Sequence, residues 1–381
     1  MYEIIDRLVP RYSDINIRNC QGETPLHCSA LWGYSKIIKK LISYGAKIDT
    51  TGHIPLHYAF SNYNGPRLQT IGLLLSSDNV NVQDDSGNTA LHLAIIYACN
   101  LQIANKSLES AGLKEENPDI IDVIDLLLEN GADVDIENQY GWSPFNYGVM
   151  YGNSRIVDKL ILRTTDINTQ HKKTGNTPLH QALLEKKELE IINSLLSKEA
   201  DVCIQNLKGE TALHFALNPP PIDYYPARLD RRYYFKKSLN WFLDSDKRIL
   251  RYLDTLLPKA TDVNIKDVDG QTPLHLGVKY GDYATVDKII SYKAAINAQN
   301  NAGNTPLHLA LSKKKGWSLH LPLLKNDIGR DVINLLLMKG ANVNLKNKDG
   351  ETPLHFAIKY GDYIIQHLIL NHNGDINAQN N

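Results

Sequence analysis

The sequence predicts an all-α repeat solenoid, made of stacked helix-turn-helix units with short β-hairpin fingers between them. Two observations predict it. The stretch Gly303-Asn304-Thr305-Pro306-Leu307-His308-Leu309-Ala310-Leu311 recurs from Gly22, Gly87, Gly175, Gly209, Gly270 and Gly350, with weaker copies from Gly52 and Gly141. A motif that returns roughly every 30 to 60 residues marks stacked units with a continuous core, not separate domains.

Each element of a unit has a local cause. The glycine closes a turn that needs a permissive backbone, and all nine copies keep it. A threonine such as Thr24 or Thr352 suits the N-cap of the first helix. Proline follows it with φ already set for the first helical turn. The leucine points into the stack. Two positions after the histidine the residue is always small: Ser29, Ala59, Ala94, Gly148, Ala182, Ala216, Gly277, Ala310 and Ala357. That lets neighbouring helices approach closely. A second helix follows and ends in an apolar run, such as Ile333 to Met338, often with a glycine such as Gly340 that fits a left-handed stop. The extended segment Ala341 to Leu345 leads to the next finger.

The start Thr-Pro-Leu-His-x-Ala resembles the ankyrin repeat, a β-turn followed by two antiparallel helices. The resemblance covers nearly the whole chain. It implies the fold, and a concave binding surface formed by the hairpin tips and the exposed end of the first helix. It does not imply a partner, because repeat scaffolds carry unrelated specificities.

Eight of the 13 histidines are motif histidines: His27, His57, His92, His180, His214, His275, His308 and His355. A buried histidine at a helix start bonds backbone groups of the adjoining turn. Metal sites need ligands that converge, and these are spread along the stack.

The repeat makes residues 1–381 one domain, although the length alone would suggest two or three. A half repeat over 1–21 comes first, with Ile4, Ile5, Leu8 and Val9 on one helical face. Nine repeats then start at 22, 52, 87, 141, 175, 209, 270, 303 and 350. Gly45 to Gly52 spans seven residues where Gly131 to Gly141 spans ten, so one finger is expected to be stunted. Ile54 replaces the capping threonine and weakens that repeat by roughly 1 kcal/mol. The chain reaches Asn381 without a polar closing repeat, so its end is expected to fray, to continue, or to dock on something.

Composition narrows the classes. The formal net charge is −1 and the pI about 6.9, which argues against a global nucleic-acid footprint and against acidic disorder. Cys20, Cys28, Cys99 and Cys203 form no CxxC pair, as expected of free thiols in a reducing compartment. The start MYEIIDRLVPRYSD lacks the apolar run of a signal peptide, and no stretch is long enough to span a membrane. The expected location is the cytoplasm. Richness in Ile, Asn, Lys and Tyr hints at an AT-rich genome, as in some microbes and viruses.

Three inserts stand between the helices of a repeat, at about 97–118, 218–246 and 312–327. Inserts at one structural position emerge along one edge, often the binding side. The second is the most informative. Arg231-Arg232-Tyr233-Tyr234-Phe235-Lys236-Lys237 precedes Trp241, and Tyr, Trp and Arg dominate binding hot spots. The same mixture can stack bases and hold phosphates. Its aromatics can equally pack back onto the scaffold.

A second candidate lies at the fourth repeat, where Phe145-Asn146 replaces Leu-His. Tyr140 and Trp142 match finger-tip positions and Tyr151 matches the end of the first helix. Trp32, Tyr280 and Tyr360 stand at that same helix-end position. Either these are scattered surface aromatics or they form a contact stripe.

No Gly-rich phosphate loop, HExxH or GxSxG is present. The expectation is a non-catalytic, monomeric scaffold or adaptor without cofactor or metal, which binds another protein. It could serve as a host-directed effector of an intracellular microbe or virus. The alternative is contact with nucleic acid or anionic lipid through the insert at 218–246.

Overall fold

Short helices pair into repeats, and each repeat buries its motif leucine against its neighbours. The computed structural model describes residues 14–48, 54–61, 67–109, 119–218, 247–280, 282–312, 328–359, 371–375 and 378–379. The chain packs as two units, Met1–Lys173 and Thr174–Asn381. The helix expected over residues 1–12 and the stunted finger before Gly52 lie outside the described residues.

In the first unit the inner helices are α1 (Pro25–Leu31), α3 (Pro55–Tyr58), α5 (Ala90–Glu109) and α7 (Pro144–Tyr151). The outer helices are α2 (Ser35–Ser43), α4 (Leu68–Leu74), α6 (Asp119–Glu129) and α8 (Ser154–Ile161). In the second unit the inner helices are α9 (Pro178–Leu184), α11 (Ala212–Leu217), α13 (Pro273–Tyr280), α15 (Pro306–Ser312) and α17 (Pro353–Lys359). The outer ones are α10 (Leu189–Ser197), α12 (247–256), α14 (Tyr283–Ser291) and α16 (Ile328–Met338). Within each unit inner helices pack on inner helices, and outer on outer.

The packing follows from the motif. Leu26, Leu56, Leu91, Leu179, Leu213, Leu274, Leu307 and Leu354 are buried, as is Phe145 in the leucine slot. The small residue two after the histidine makes room for the outer helix of its own repeat. A Cβ added to Gly148 would stand 2.5 Å from Leu160 Cδ1, and one on Gly277 would stand 2.6 Å from Ile289 Cδ1. In the second repeat, where Ile54 has no hydroxyl to cap with, α3 is only four residues long.

No β-strand is present among the described residues, so the expected hairpin ladder is not seen there. Seven of the described fingers are each a single hydrogen-bonded turn. Gly303 N–H donates to the Asn300 carbonyl at 2.8 Å, and Asn300 N–H to the Asn304 carbonyl at 3.0 Å. Asn300 Oδ1 accepts from the N–H groups of Ala302 and Asn304, both at 3.0 Å. Asn19, Asp84, Asn138, Asn206, Asp267 and Asn347 head equivalent turns. A turn this short leaves backbone groups over, and they bond sideways to the next finger. Lys348 N–H donates to Ala302 at 3.0 Å, Asn301 to Asp269 at 2.9 Å and Gln139 to Ser86 at 3.1 Å. These sideways bonds bring the backbones close. Gly303 has φ +76°, and a Cβ there would stand 2.8 Å from Lys348 N.

The first insert begins as a helix, because α5 runs for 20 residues and carries the chain past Tyr97 to Glu109. Residues 110–118, 219–246 and 313–327 of the three inserts lie outside the described residues. Among the described residues no helix is long and apolar enough to cross a membrane.

Candidate functional site

The motif histidines join a helix cap to a link between repeats. His308 Nδ1 accepts from Thr305 N–H at 3.1 Å, and its Nε2–H donates to the Glu351 carbonyl of the next repeat at 3.1 Å. Histidine thereby does the work of the acid in a capping box, reaching back to the N-cap backbone. His92, His180, His214 and His275 repeat the pattern onto Trp142, Glu210, Gln271 and Asn304. The two bonds require the neutral tautomer with its proton on Nε2. Burial lowers His92, His180 and His275 to about 4, only partly opposed by the backbone bonds. It lowers His214 and His308 in the same direction. Among the described residues no group of three or more His, Cys, Asp or Glu is placed to hold a metal ion.

The fourth repeat replaces this device. Asn146 Oδ1 accepts from Ser143 N–H at 3.1 Å, and Ser143 Oγ accepts from Asn146 N–H at 3.2 Å. The cap survives, but asparagine has no Nε2 with which to reach onward. His171 supplies a different link. Its Nε2 donates to the Tyr140 carbonyl at 3.0 Å, and its ring stacks on Trp142 with centroids 3.8 Å apart and planes at 11°. Sequence reasoning passed over His171. The signal was present, since His171 follows Asp166 by five residues, as Asp267 follows Asp262.

Around this stack lie aromatic side chains of the predicted surface. Tyr140 is 59% exposed, and Tyr151, at the end of α7, is 47% exposed. Trp142 is half-buried by its stack on His171. Tyr147 lies 6.1 Å from Tyr151 and sets its ring edge-on to His92 at 6.0 Å. Its phenol oxygen accepts from Asn138 Nδ2 at 3.4 Å, and burial raises its pKa.

At the other end of the first unit, Trp32 caps α1 and is 56% exposed. In the second unit Tyr280 is half-buried, with Lys279 Nζ 4.8 Å from its ring centroid. Tyr360, Arg231, Arg232, Tyr233, Tyr234 and Trp241 lie outside the described residues.

The structure adds two aromatics that sequence reasoning missed. Tyr58, one residue after His57, sets its ring edge-on to His27 at 5.1 Å. Burial, a hydrogen bond to the Glu23 carboxylate and the charges of Glu23 and Asp85 raise its pKa. Tyr97 is half-buried on α5. It follows His92 by five residues, as Trp32 follows His27 and Tyr151 follows Asn146, although position 97 also opens the first insert.

Comparison with known proteins agrees with this architecture. A family model for three-copy ankyrin repeats matches residues 1–84, 114–206 and 245–329. Models for many-copy and single ankyrin repeats match 336–381 and 86–139. The chain is 24% identical over 322 residues to an ankyrin repeat protein of Acanthamoeba polyphaga mimivirus, covering 76% of this chain and 40% of that protein. It is 24% identical over 237 residues to the B-cell lymphoma 3 protein homolog of Mus musculus, covering 61% of this chain and 48% of that protein. The chain thus spans less than half the length of either relative. The crystal structure of the ankyrin repeat domain of Bcl-3 superposes with a TM-score of 0.52 at 20% identity, covering 75% of this chain and 100% of that one. Repeat motif, helix pairing and family match together place this chain in the ankyrin-repeat family.

Proposed function

We propose that this chain is a non-catalytic scaffold or adaptor that binds another protein, using aromatic side chains at inner-helix ends and finger tips as anchors. The observation that carries this reading is the exposure of Trp32, Tyr140 and Tyr151 on short, rigidly packed elements. Such side chains offer large contact area at little cost in conformational freedom, and they are typical hot-spot residues. Tyr280, Tyr360 and the run from Arg231 to Trp241 extend the proposed set. The motif histidines are poor candidates for catalysis, because those whose two bonds are described above spend both ring nitrogens on backbone groups.

The likeness to a mimivirus protein and the Ile, Asn, Lys and Tyr richness support a finer version. In it the chain is a monomeric effector of an intracellular microbe or virus, directed at a host protein in the reducing cytoplasm. None of the four cysteines is in a disulfide, which suits that compartment.

The test is quantitative affinity capture with the full chain and with a Trp32→Ala, Tyr140→Ala, Tyr151→Ala variant of unchanged melting temperature. A saturable partner held by the first and lost by the second supports the reading. Equal retention by both overturns the anchor assignment. The alternative, contact of the insert at 218–246 with nucleic acid or anionic lipid, would show instead as steeply salt-dependent binding of single-stranded oligonucleotides or anionic vesicles.

A further inference from the structure

The reading of this chain as a protein binder leaves the chemistry of its partner open, and the first unit narrows it. We propose that the inner-helix face of residues 14–173 takes an extended segment of its partner that carries arginine or lysine. The proposal rests on the protein-binding reading and deepens it.

Three observations converge. The inner helices α1, α3 and α7, and α5 as far as residue 105, contain no charged residue at all. The inner helices of this face therefore offer rings and helix ends, and the described fingers beside them supply charge. Across the first three repeats the charge beside Tyr58 is negative. The Tyr58 phenol is hydrogen-bonded to the Glu23 carboxylate, with the Asp85 carboxylate close enough to act on it. Glu23 Oε2 also accepts from Asn19 Nδ2 at 2.7 Å, and the exposed Cys28 thiol lies 4.0 Å from it.

Two cations of this unit's fingers are engaged locally. Arg18 donates to the Gly22 carbonyl at 2.6 Å, and Lys172 pairs with Glu137. The acidic balance belongs to this unit. Residues 1–173 hold 20 Asp and Glu against 15 Lys and Arg, whereas 174–381 hold 22 against 26.

This combination suits one kind of side chain. A guanidinium is weakly hydrated, stacks flat on an aromatic ring and pairs with a carboxylate through two parallel bonds. An ammonium is more strongly hydrated and pairs without the planar fork, but it carries the same charge. An acidic segment would bring like charge against Glu23 and Asp85. An apolar one would strip water from both carboxylates without replacing it.

The test uses random 12-residue peptides displayed on phage and panned against the full chain. Peptides from the enriched pool are then synthesised, and their affinities measured by fluorescence anisotropy. Enrichment of arginine and lysine over the unselected library is expected. The Glu23→Gln, Asp85→Asn double variant, whose amides can still accept the Tyr58 proton, is expected to bind the best basic peptide at least tenfold more weakly. A control variant, Asp122→Asn with Asp158→Asn, removes two exposed carboxylates from outer helices and is expected to bind within twofold of the original chain.

Enriched peptides with no basic bias would overturn the inference and leave the protein-binding reading standing. Basic peptides that bind the double variant as well as the original chain, or that lose as much on the control, would also overturn it. Failure of any peptide to be enriched would count against both readings.

Discussion

Lowering the pH should destabilise this chain well before its carboxylates protonate, because burial disfavours the charged form of five motif histidines, His92, His180, His214, His275 and His308. His92, His180 and His275 have a folded pKa of about 4 against 6.5 for the free side chain. The unfolded chain therefore binds protons between pH 6.5 and about 4 that the folded chain refuses. Stability is fully present above 6.5 and is lost progressively as the pH falls through that window. At pH 5 the unfolded state gains about 1.5 pH units of binding per histidine, or about 2 kcal/mol each. His180 and His275 together should cost the second unit about 4 kcal/mol, a large share of the roughly 5–15 kcal/mol of a typical domain. His214 and His308 are shifted the same way and steepen the loss.

Urea titrations followed by far-UV circular dichroism at pH 7.5, 6 and 5 measure it. A His275→Gln variant sharpens the test, since glutamine can keep the capping-box bond but cannot titrate. Its stability should fall by about 2 kcal/mol less than that of the original chain between pH 7.5 and 5. Equal stability of the original chain at both pH values, or identical slopes for chain and variant, would refute the reasoning.

The remaining predictions concern backbone and stacking. Gly303→Ala should cost more than Gly45→Ala. Both positions have positive φ, at +76° and +89°, but only at Gly303 would the new Cβ meet the backbone of the next finger. We expect about 1 kcal/mol for Gly45→Ala and 2 or more for Gly303→Ala in thermal melts; equal losses would remove the close-approach argument. Glu199 and Lys293 stop α10 and α14 with φ of 64° and 65°, a conformation that Gly45, Gly131 and Gly340 adopt without strain. Changing either to glycine should raise the urea midpoint, with a net gain of about 0.5–1 kcal/mol after the entropy of glycine is counted; a lower midpoint contradicts it. His171→Ala removes both the stack on Trp142 and the bond to Tyr140. It should destabilise by about 1–2 kcal/mol and shift indole fluorescence to the red, whereas an unchanged spectrum would mean that the stack does not shield Trp142.

Much of the fold was legible because the motif writes its own physics. Thr-Pro-Leu-His sets a cap, a first turn, a buried leucine and a link to the next repeat within four residues, so each copy could be placed without tertiary information. The fingers were read less well. Period and glycine position announce a turn, but whether its spare backbone bonds along a hairpin or sideways to the next finger depends on the spacing of neighbouring repeats. That spacing is not written in any one repeat. The same limit hid His171, whose role exists only because Trp142 lies one finger away. It also hid Tyr58, whose significance comes from Glu23 and Asp85 on two other fingers. Tyr97 was missed for a different reason. Extra residues between two helices read as a loop, but here the inner helix simply runs on through Glu109.

The most direct test of the binding account is amide hydrogen–deuterium exchange of the full chain, alone and saturated with the partner recovered by affinity capture. Slowed exchange should concentrate at the ends of the inner helices and at the finger tips, above all around Trp32, Tyr140 and Tyr151, with the outer helices α2, α4, α6 and α8 unchanged. Protection confined to the outer helices, or spread evenly over every repeat, would contradict it.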